Sequence, residues 1–224
     1  MGVGNHPIRL RGVSFAYQHG PPVLEGLDLE LREGESIGLV GSNGSGKTTL
    51  LHLIVGLLKP AAGEVEVFGR PRRTEADFRE VRARVGLLFQ DADDQLFSPT
   101  VAEDIAFGPL NLGMSRAEAA ATVGETLAAV GLSGFEERVI YRLSAGEKRL
   151  VSLAAVLAMR PDVLLLDEPV SGLDDVARER IVEILAGMAQ AKVVISHDRD
   201  LLRRITNRVV RLERGKLQPF SLDE

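Results

Sequence analysis

The sequence predicts an α/β fold whose core is a parallel β-sheet. Three short apolar runs, at residues 37–40, 163–166 and 193–196, have the composition of strands that are buried on both faces. A helical pattern of about fifteen residues separates the last two runs, and this βαβ arrangement requires parallel strands. Because no repeat, low-complexity tract or linker interrupts residues 1–224, we expect one domain with a helical insertion at about residues 75–160.

The chain before the helical insertion is predicted to be mostly β-strand. Apolar residues recur or alternate in three runs, which predict strands over 8–15, 27–31 and 64–68. The buried strand at 37–40 leads directly into a glycine-rich loop. A helix is predicted over 47–58, and Lys59-Pro60 and Gly63 stop it.

The middle of the chain is predicted to be helical, apart from a short apolar run at 87–89. Ser115 and Glu118 have the spacing of a capping box, and Gly131 follows where a helix would end. Ser144 and Glu147 repeat that spacing ahead of an apolar helix. Towards the C-terminus, residues 209–217 predict a hairpin.

The composition excludes several classes of protein. The chain has 224 residues, of which 45% are hydrophobic and 26% charged, so it is neither disordered nor fibrous. It contains no cysteine, which excludes disulfides, Cys-ligated zinc and thiolate catalysis. The net charge of −5 argues against broad nucleic-acid binding. The longest apolar stretch, 150–159, is too short to span a bilayer and no secretory leader pattern is present, so we expect a soluble intracellular protein.

Residues 41–48 match the phosphate-binding loop G-x-x-x-x-G-K-[ST]. Glycines let backbone N–H groups face phosphate oxygens, and the helix that follows offers the positive end of its dipole to an anion. Lys47 is predicted to reach the β- and γ-phosphates, and the Thr48 hydroxyl to bind Mg²⁺. A chance match is the alternative, and the strand before the loop and the helix after it argue against that. The predicted nucleotide-binding residues here are Ser42, Asn43, Gly44, Ser45, Gly46, Lys47, Thr48 and Thr49.

Two late strands end in groups suited to phosphate chemistry. Asp167 and Glu168 end one strand, and in a parallel sheet the carboxyl ends of strands are where ligands bind. Asp167 suits the Mg²⁺ shell, and Glu168 can orient or deprotonate the attacking water. His197 ends the other strand, where it could hydrogen-bond the γ-phosphate. The alternatives are surface acids at a helix cap and a structural histidine.

These motifs together resemble those of the ATP-binding-cassette (ABC) ATPases. Leu-Ser-Ala-Gly-Glu at 143–147, followed by Asp-Glu-Pro at 167–169, is similar to the family's signature and the acidic motif after it. The resemblance covers nearly the whole chain. It implies the P-loop NTPase fold of the ABC ATPases, with an antiparallel β subdomain and an inserted helical subdomain beside the parallel-sheet core.

The same resemblance implies further roles for single residues. Tyr17 matches the aromatic residue that stacks on adenine, and Gln90 matches the lid glutamine, which joins Thr48 and Asp167 as a metal ligand. Asp174 matches the loop that crosses to a partner cassette, and His197 matches the switch histidine. The implied ligands are ATP and Mg²⁺.

The signature residues imply a dimer. Ser144 and Gly146 lie at a predicted helix N-terminus, which is a second anion site. In the family, each ATP is held between the phosphate loop of one chain and the signature of a second ABC ATPase subunit. Ala145 and Glu147 replace the commoner Gly and Gln, and Glu147 adds charge near the phosphate. An ordinary helix cap is the alternative for this segment alone.

A narrower resemblance comes from residues 89–101 and 104–109, which are similar to cobalt/nickel-uptake and energy-coupling-factor importer ATPases. It implies a motor on the cytoplasmic face of the cell membrane, partnered by membrane scaffold and substrate-binding subunits, that powers import of a metal ion or vitamin. The other interpretations are a non-transport ABC ATPase acting on DNA or ribosomes, and a small-molecule kinase with the same phosphate loop. The coiled coil of the DNA-repair relatives does not fit between Gln90 and Ser144, and a kinase does not need a signature.

Residues 87–114 predict a surface for the membrane partner. This window holds five acids and no Lys or Arg, with apolar residues between them; the acids are Asp91, Asp93, Asp94, Glu103 and Asp104. We expect an acidic groove that receives a short helix carrying an arginine, with Asp93 and Asp94 contributing. A solvated acidic surface is the alternative.

Overall fold

The computed structural model of the protein describes residues 6–18 and 20–223, which form two β-sheets and seven α-helices. The strands are β1 Ile8–Ala16, β2 Pro22–Leu31, β3 Ser36–Val40, β4 Ala62–Val67, β5 Arg70–Pro71, β6 Val85–Leu88, β7 Val163–Asp167, β8 Ala191–Ile195, β9 Arg208–Glu213 and β10 Lys216–Pro219. The helices are α1 Lys47–Ile54, α2 Glu75–Arg82, α3 Val101–Asn111, α4 Arg116–Val130, α5 Ala145–Ala158, α6 Asp175–Ala186 and α7 Arg199–Ile205, and Ile140–Arg142 forms a 3₁₀ turn.

The larger sheet has the order β10-β9-β3-β8-β7-β6, and its strands are parallel except β10, which forms the predicted hairpin with β9. The α/β fold with a parallel-sheet core is therefore confirmed. Leu39 of β3 and Asp167 of β7 both pair with Ile195 of β8. The carboxyl ends of these three strands thus lie side by side, and the loops after them share one edge of the sheet.

The smaller sheet is antiparallel and has the order β2-β1-β4-β5. Its central strand β1 places Leu10 opposite Leu29 of β2 and Val65 of β4, and all three side chains are buried. Alternate side chains of β1 face the core that also contains the buried leucines of α1. This sheet therefore packs over the first helix after the phosphate loop, and it holds the N-terminal part of the chain near that loop.

Helices α3, α4 and α5, which follow β6 and precede β7 in the chain, pack against one another. Their shared core includes Ile105, Val123, Leu127 and Val151. The two predicted capping boxes, at Ser115 and Ser144, begin α4 and α5, and α4 ends at Gly131 as predicted. Among residues 6–18 and 20–223, no helix combines the length and the apolar character that crossing a membrane requires.

The first helix is shorter than the sequence predicts, because α1 ends at Ile54 rather than at residue 58. The N–H of Leu57 donates to the carbonyl oxygen of His52 at 2.9 Å, and the N–H of Gly56 donates to that of Leu53 at 3.3 Å. This is a Schellman closure, which needs a left-handed residue; Gly56 supplies it with a φ of 73°. A β-carbon at Gly56 would lie 2.1 Å from the Phe78 ring, so only glycine fits at this helix end.

Candidate active site

The glycine-rich loop folds around the side chain of Lys47. Its ammonium donates to the carbonyl oxygens of Gly41 at 2.9 Å and Ser42 at 3.0 Å, so it lies inside the loop. Burial lowers the pKa of Lys47, and the negative charges of Glu168 and Asp167 oppose this shift. Gly46 has a φ of 100°, and a β-carbon there would lie 2.7 Å from Val23, so only glycine fits before α1. The loop presents a cation and a helix N-terminus to the same cleft.

Thr48 and Asp167, the two predicted magnesium ligands at the sheet edge, are in direct contact. The Thr48 hydroxyl donates to Asp167 Oδ2 at 2.5 Å. Burial raises the pKa of Asp167, and the hydrogen bond from Thr48 and the charges of His52, Lys47 and Arg149 partly offset the shift. Gln90 lines the same cleft. A hydroxyl, a carboxylate and an amide oxygen are hard ligands that suit Mg²⁺, so the residues present fit that ion.

Glu168 follows Asp167 and is held by the end of β8. Its Oε2 accepts hydrogen bonds from Ser196 Oγ at 3.3 Å and from the His197 N–H at 3.4 Å. Its Oε1 lies 3.5 Å from His197 Nε2 and is buried without a hydrogen-bond partner among the described residues. Burial raises the pKa of Glu168, while His197 and Ser196 lower it. Because Glu168 also lines the cleft, its carboxylate is positioned to accept a proton from a water there.

Tyr17 lies on the rim of the cleft and is 50% exposed. Its ring makes an edge-to-face contact with Phe15, at 4.9 Å between centroids, and its hydroxyl is 3.0 Å from Thr49 Oγ1. These two contacts fix the half-exposed ring beside the loop. An aromatic surface of this kind is able to stack on a base.

One cleft of about 640 Å³ brings together most of the predicted site. The predicted residues that line it are Tyr17, Asn43, Gly44, Gly46, Lys47, Thr48, Thr49, Gln90, Asp167, Glu168 and His197. Two other loop residues are placed differently. Ser42 lines a neighbouring cleft with Gly41, and the Ser45 hydroxyl is buried without a hydrogen-bond partner among the described residues.

The signature residues lie apart from this cleft. Ser144, Gly146 and Glu147 line a different depression together with Asp174, and Ala145 is the first residue of α5. Ser144 Oγ accepts the Glu147 N–H at 3.2 Å, and Glu147 Oε2 accepts the Ser144 N–H at 2.8 Å. The capping box is therefore complete, and the N-terminus of α5 borders a depression that no residue of the phosphate loop lines.

The extra charge of Glu147 has a partner that the sequence does not indicate. Glu147 Oε1 lies 3.3 Å from Arg138 Nη1, and the Arg138 guanidinium rests over the Phe135 ring at 3.6 Å from its centroid. The carboxylate is thus compensated by one cation and one backbone N–H. It is an ion pair at the edge of the signature, not an isolated negative charge.

Two residues that contact the site were not predicted. Ser196 supports Glu168 from the residue before His197, and it could have been suspected only from its place at a strand end. Arg149 reaches the backbone of residues 167–169 from α5. Its position one residue before an apolar helix run indicates nothing about that contact.

A phosphate loop, a Thr–Asp pair and a buried carboxylate at the edge of a parallel sheet define a P-loop nucleotide hydrolase. A family model described as ABC transporter matches residues 24–171. The chain belongs to the ABC transporter family and has the fold of its ATP-hydrolysing cassettes.

Two relatives illustrate the similarity in sequence. The chain is 53% identical over 203 residues to a Brucella suis biovar 1 protein that is named as an ABC transporter ATP-binding protein, which covers 91% of this chain and 84% of the relative. It is 42% identical over 214 residues to the energy-coupling factor transporter ATP-binding protein EcfA of Methanothermobacter thermautotrophicus, which covers 94% of this chain and 69% of the relative.

Two solved structures are similar in fold. CbiO1 from Clostridium perfringens, part of the ABC transporter complex cbiONQ, superposes with a TM-score of 0.84 at 29% identity and covers 96% of this chain and 87% of that chain. The cassette MJ0796, a dimer in a post-hydrolysis state bound to ADP and Pi, superposes with a TM-score of 0.87 at 26% identity and covers 96% of this chain and 99% of that chain.

Proposed function

We propose that this ATPase is the nucleotide-binding subunit of an importer for a metal ion, such as cobalt or nickel, or for a vitamin, and that it works on the cytoplasmic face of the cell membrane. The observation that carries the proposal is the similarity to EcfA and to CbiO1, both of which are named as parts of transporters. The unit that does this work comprises residues 1–224, with the lid segment and helical subdomain at about 75–160.

In this proposal the cleft binds ATP with its phosphates on the glycine-rich loop. The ammonium of Lys47 and the N–H groups at the start of α1 neutralise the phosphate oxygens, and Tyr17 stacks on the adenine. Thr48, Gln90 and Asp167 supply oxygen ligands for Mg²⁺, and the ion would supply charge neutralisation at the β- and γ-phosphates.

Glu168 and His197 carry out the hydrolytic step of the proposal. The Glu168 carboxylate accepts a proton from the water that attacks the γ-phosphate, and His197 Nε2, which lies 3.5 Å from Glu168 Oε1, donates to a γ-phosphate oxygen. The raised pKa of Glu168 supports this role, because a base is most effective when its pKa approaches the working pH.

The position of the signature supports a dimer, as a homodimer or with a second ABC ATPase subunit. The N-terminus of α5 is a ready anion site, yet its residues and Asp174 share a depression that is separate from the chain's own cleft. We propose that Ser144, Gly146 and the neighbouring Ala145 and Glu147 complete the ATP site of the partner chain, with Asp174 on the loop that crosses between them. The dimeric state of MJ0796 supports this arrangement.

A mainly apolar groove supports docking of a membrane subunit. It is lined by Leu57, Phe97, Phe107 and Met159, and the two phenylalanine rings, 68% and 51% exposed by residue, meet edge to face at 4.8 Å. Phe89, the residue before Gln90, also lines it, so an occupant would touch the segment that carries the lid glutamine. We propose that a short helix of the membrane scaffold subunit, with an apolar face, occupies this groove.

The expectation that Asp93 and Asp94 contribute to this groove was wrong. Asp93 is exposed and forms a salt bridge with Lys148 at 2.5 Å, and neither Asp93 nor Asp94 lines the groove. Asp104 does line it, but the side chain is buried and accepts a hydrogen bond from Ser98 Oγ at 3.0 Å. Burial raises the pKa of Asp104. The groove is therefore a mainly apolar surface whose polar lining residues are Arg82, Gln95 and the buried Asp104.

The proposed function is tested by assembly and transport. The chain is co-expressed with candidate membrane scaffold and substrate-binding subunits of the energy-coupling-factor class, purified in detergent and reconstituted into proteoliposomes. We expect a stable complex and ATP-dependent uptake of labelled Co²⁺, Ni²⁺ or biotin. The Glu168→Gln complex is the matched control, which should assemble but not transport. Isolation of the chain with ribosomes or DNA, and no complex with membrane proteins, would contradict the proposal.

A further inference from the structure

Arg149 is a nearly fully buried cation whose every donor is used. The residue is 4% exposed and lies on α5, five residues after the Ser144 cap. Its Nε donates to the Pro169 carbonyl oxygen at 2.9 Å, and its Nη2 donates to those of Asp167 and Glu168, both at 2.7 Å. A guanidinium has five N–H donors in one plane. Three of them donate to backbone carbonyl oxygens next to or within Glu168.

The remaining two donors reach the segment that carries the lid glutamine. Nη1 of Arg149 donates to the carbonyl oxygens of Phe89 and of Gln90, the latter at 3.2 Å. All five N–H groups therefore end on backbone carbonyls, with no carboxylate partner among the described residues. Because a buried guanidinium is costly unless every donor is satisfied, this geometry is tightly specified.

Glu168 needs such support, because it has a φ of 45°, in the left-handed region that is unfavourable for a residue with a side chain. Its N–H donates to the Ile195 carbonyl oxygen at 2.9 Å. One nitrogen of Arg149 holds the carbonyls of Asp167 and Glu168, which belong to the peptide groups on either side of the Glu168 Cα. Both backbone torsions of Glu168 are thereby restrained, and with them the direction in which its carboxylate leaves the strand.

We propose that Arg149 is a positioning residue for hydrolysis, which holds the Glu168 backbone and the Gln90 segment in the geometry that the reaction requires. Its five donors are all taken by backbone carbonyls, so it acts through the backbone of these segments. Arg149 lies on α5, the helix that begins with the signature. It therefore also connects the signature, which we propose contacts the partner's ATP, with Glu168 of the same chain. The inference rests on the proposed role of Glu168 as the base.

The test compares Arg149→Lys and Arg149→Gln with a second buried arginine. Arg72 is 7% exposed and donates to the Val67 carbonyl at 3.2 Å and to Glu80 at 2.8 Å, in the antiparallel sheet and α2. Arg72→Lys is thus a matched loss of guanidinium bonds away from the cleft. For each variant, kcat, KM, the dissociation constant of a fluorescent ATP analogue and the melting temperature are measured.

Lysine has three donors on one nitrogen in place of five donors on three, so it cannot hold the Glu168 backbone and the Gln90 segment at the same time. We expect Arg149→Lys to lower kcat by about 10²-fold, as a misplaced catalytic group does, while the analogue binds within about threefold of the wild-type value. Arg149→Gln should lower kcat at least as much. Arg72→Lys should keep kcat within about twofold even if it loses as much thermal stability.

Three results would overturn the inference. The first is a folded Arg149→Lys protein with a kcat near the wild-type value. The second is an equal loss of kcat in Arg149→Lys and Arg72→Lys. The third is failure of both Arg149 variants to fold, which would assign the residue to the fold itself. A Glu168→Gln protein measured alongside separates the two proposals: if it remains active, the role of Glu168 is wrong, and if it is inactive while Arg149→Lys is normal, only the positioning role is wrong.

Discussion

Thr48 and Asp167, which are 119 positions apart in the chain, meet in a hydrogen bond of 2.5 Å at the edge of the parallel sheet. The contact joins the first turn of α1 to the end of β7, so it fixes the phosphate loop against the strand that carries the acidic pair. It also lessens the rise in the pKa of Asp167 that burial causes. Two of the three ligands proposed for Mg²⁺ are therefore held together by a direct hydrogen bond, and Gln90 lines the same cleft.

Replacing Glu168 by Gln should separate binding from hydrolysis. The amide keeps the size of the side chain but cannot accept a proton from water, so turnover should fall by about 10²–10⁴-fold, the contribution of a positioned base. Lys47, the loop and Tyr17 are untouched, so ATP affinity should stay near the wild-type value. Phosphate release and nucleotide titration measure the two effects. Near-normal hydrolysis by the variant would refute the role of Glu168.

The same variant should change how the stability of the nucleotide-free protein depends on pH. Burial raises the pKa of Glu168 from its ordinary value of 4.5. The folded state therefore binds more protons than the unfolded state just above that value, and stability is lost as pH rises through the folded pKa. Glutamine does not titrate, so Glu168→Gln should gain in melting temperature over wild type as the pH is raised through the range above 4.5. A difference that is constant over this range would contradict the burial of an ionised Glu168.

Tyr17→Ala should weaken ATP binding by about 1–3 kcal/mol, the usual contribution of a base stacked on an aromatic ring. Tyr17→Phe keeps the stacking face and loses only the hydroxyl contact with Thr49, so its effect should be much smaller. Titration calorimetry measures both variants against the wild type. If Tyr17→Phe and Tyr17→Ala were equally weak, the hydroxyl and not the ring would carry the affinity.

The parts of this site that the sequence could predict are those written in short patterns. The glycine loop, the strand that ends in Asp167 and the capping box at Ser144 each lie within a few residues, so spacing is enough to find them. Contacts between distant segments leave no such pattern. The five bonds of Arg149, like the salt bridge of Asp93 with Lys148, depend on how α5 packs over β7 and the lid segment.

Arg138 should determine whether Glu147 hinders ATP-driven dimerisation. In a Glu168→Gln background, which retains ATP, Mg²⁺ and ATP should convert monomer to dimer in sedimentation. Arg138→Ala removes the cation 3.3 Å from Glu147 and leaves a carboxylate beside the partner's phosphates, so the dimer should weaken. Adding Glu147→Gln should restore it, because the capping bond to the Ser144 N–H survives. If Arg138→Ala dimerises normally, the charge of Glu147 does not reach the nucleotide.

The last prediction concerns the apolar groove. The sequence alone suggests that Asp93 and Asp94 bind the membrane partner, whereas the structure favours Phe97 and Phe107. Phe97 and Phe107 are exposed, lie edge to face and line the groove, whereas Asp93 is paired with Lys148 outside it. Burying an aromatic side chain at an interface contributes more than an exposed ion pair, which is worth about 0–1 kcal/mol. Phe97→Ala/Phe107→Ala should therefore detach the protein from its membrane complex, and the matched pair Asp93→Ala/Asp94→Ala should leave it bound.

Detergent co-purification of each double variant with the membrane subunits measures this difference, and ATPase activity of the isolated chain shows that the variants are folded. The truncated rings are largely exposed, and the cleft lies on other residues, so that activity should remain near the wild-type value. Asp104→Asn adds a finer test, because Asp104 Oδ2 is buried without a hydrogen-bond partner among the described residues. If the aspartate pair detaches the protein and the phenylalanine pair does not, the docking surface is the acidic loop and the groove has another role.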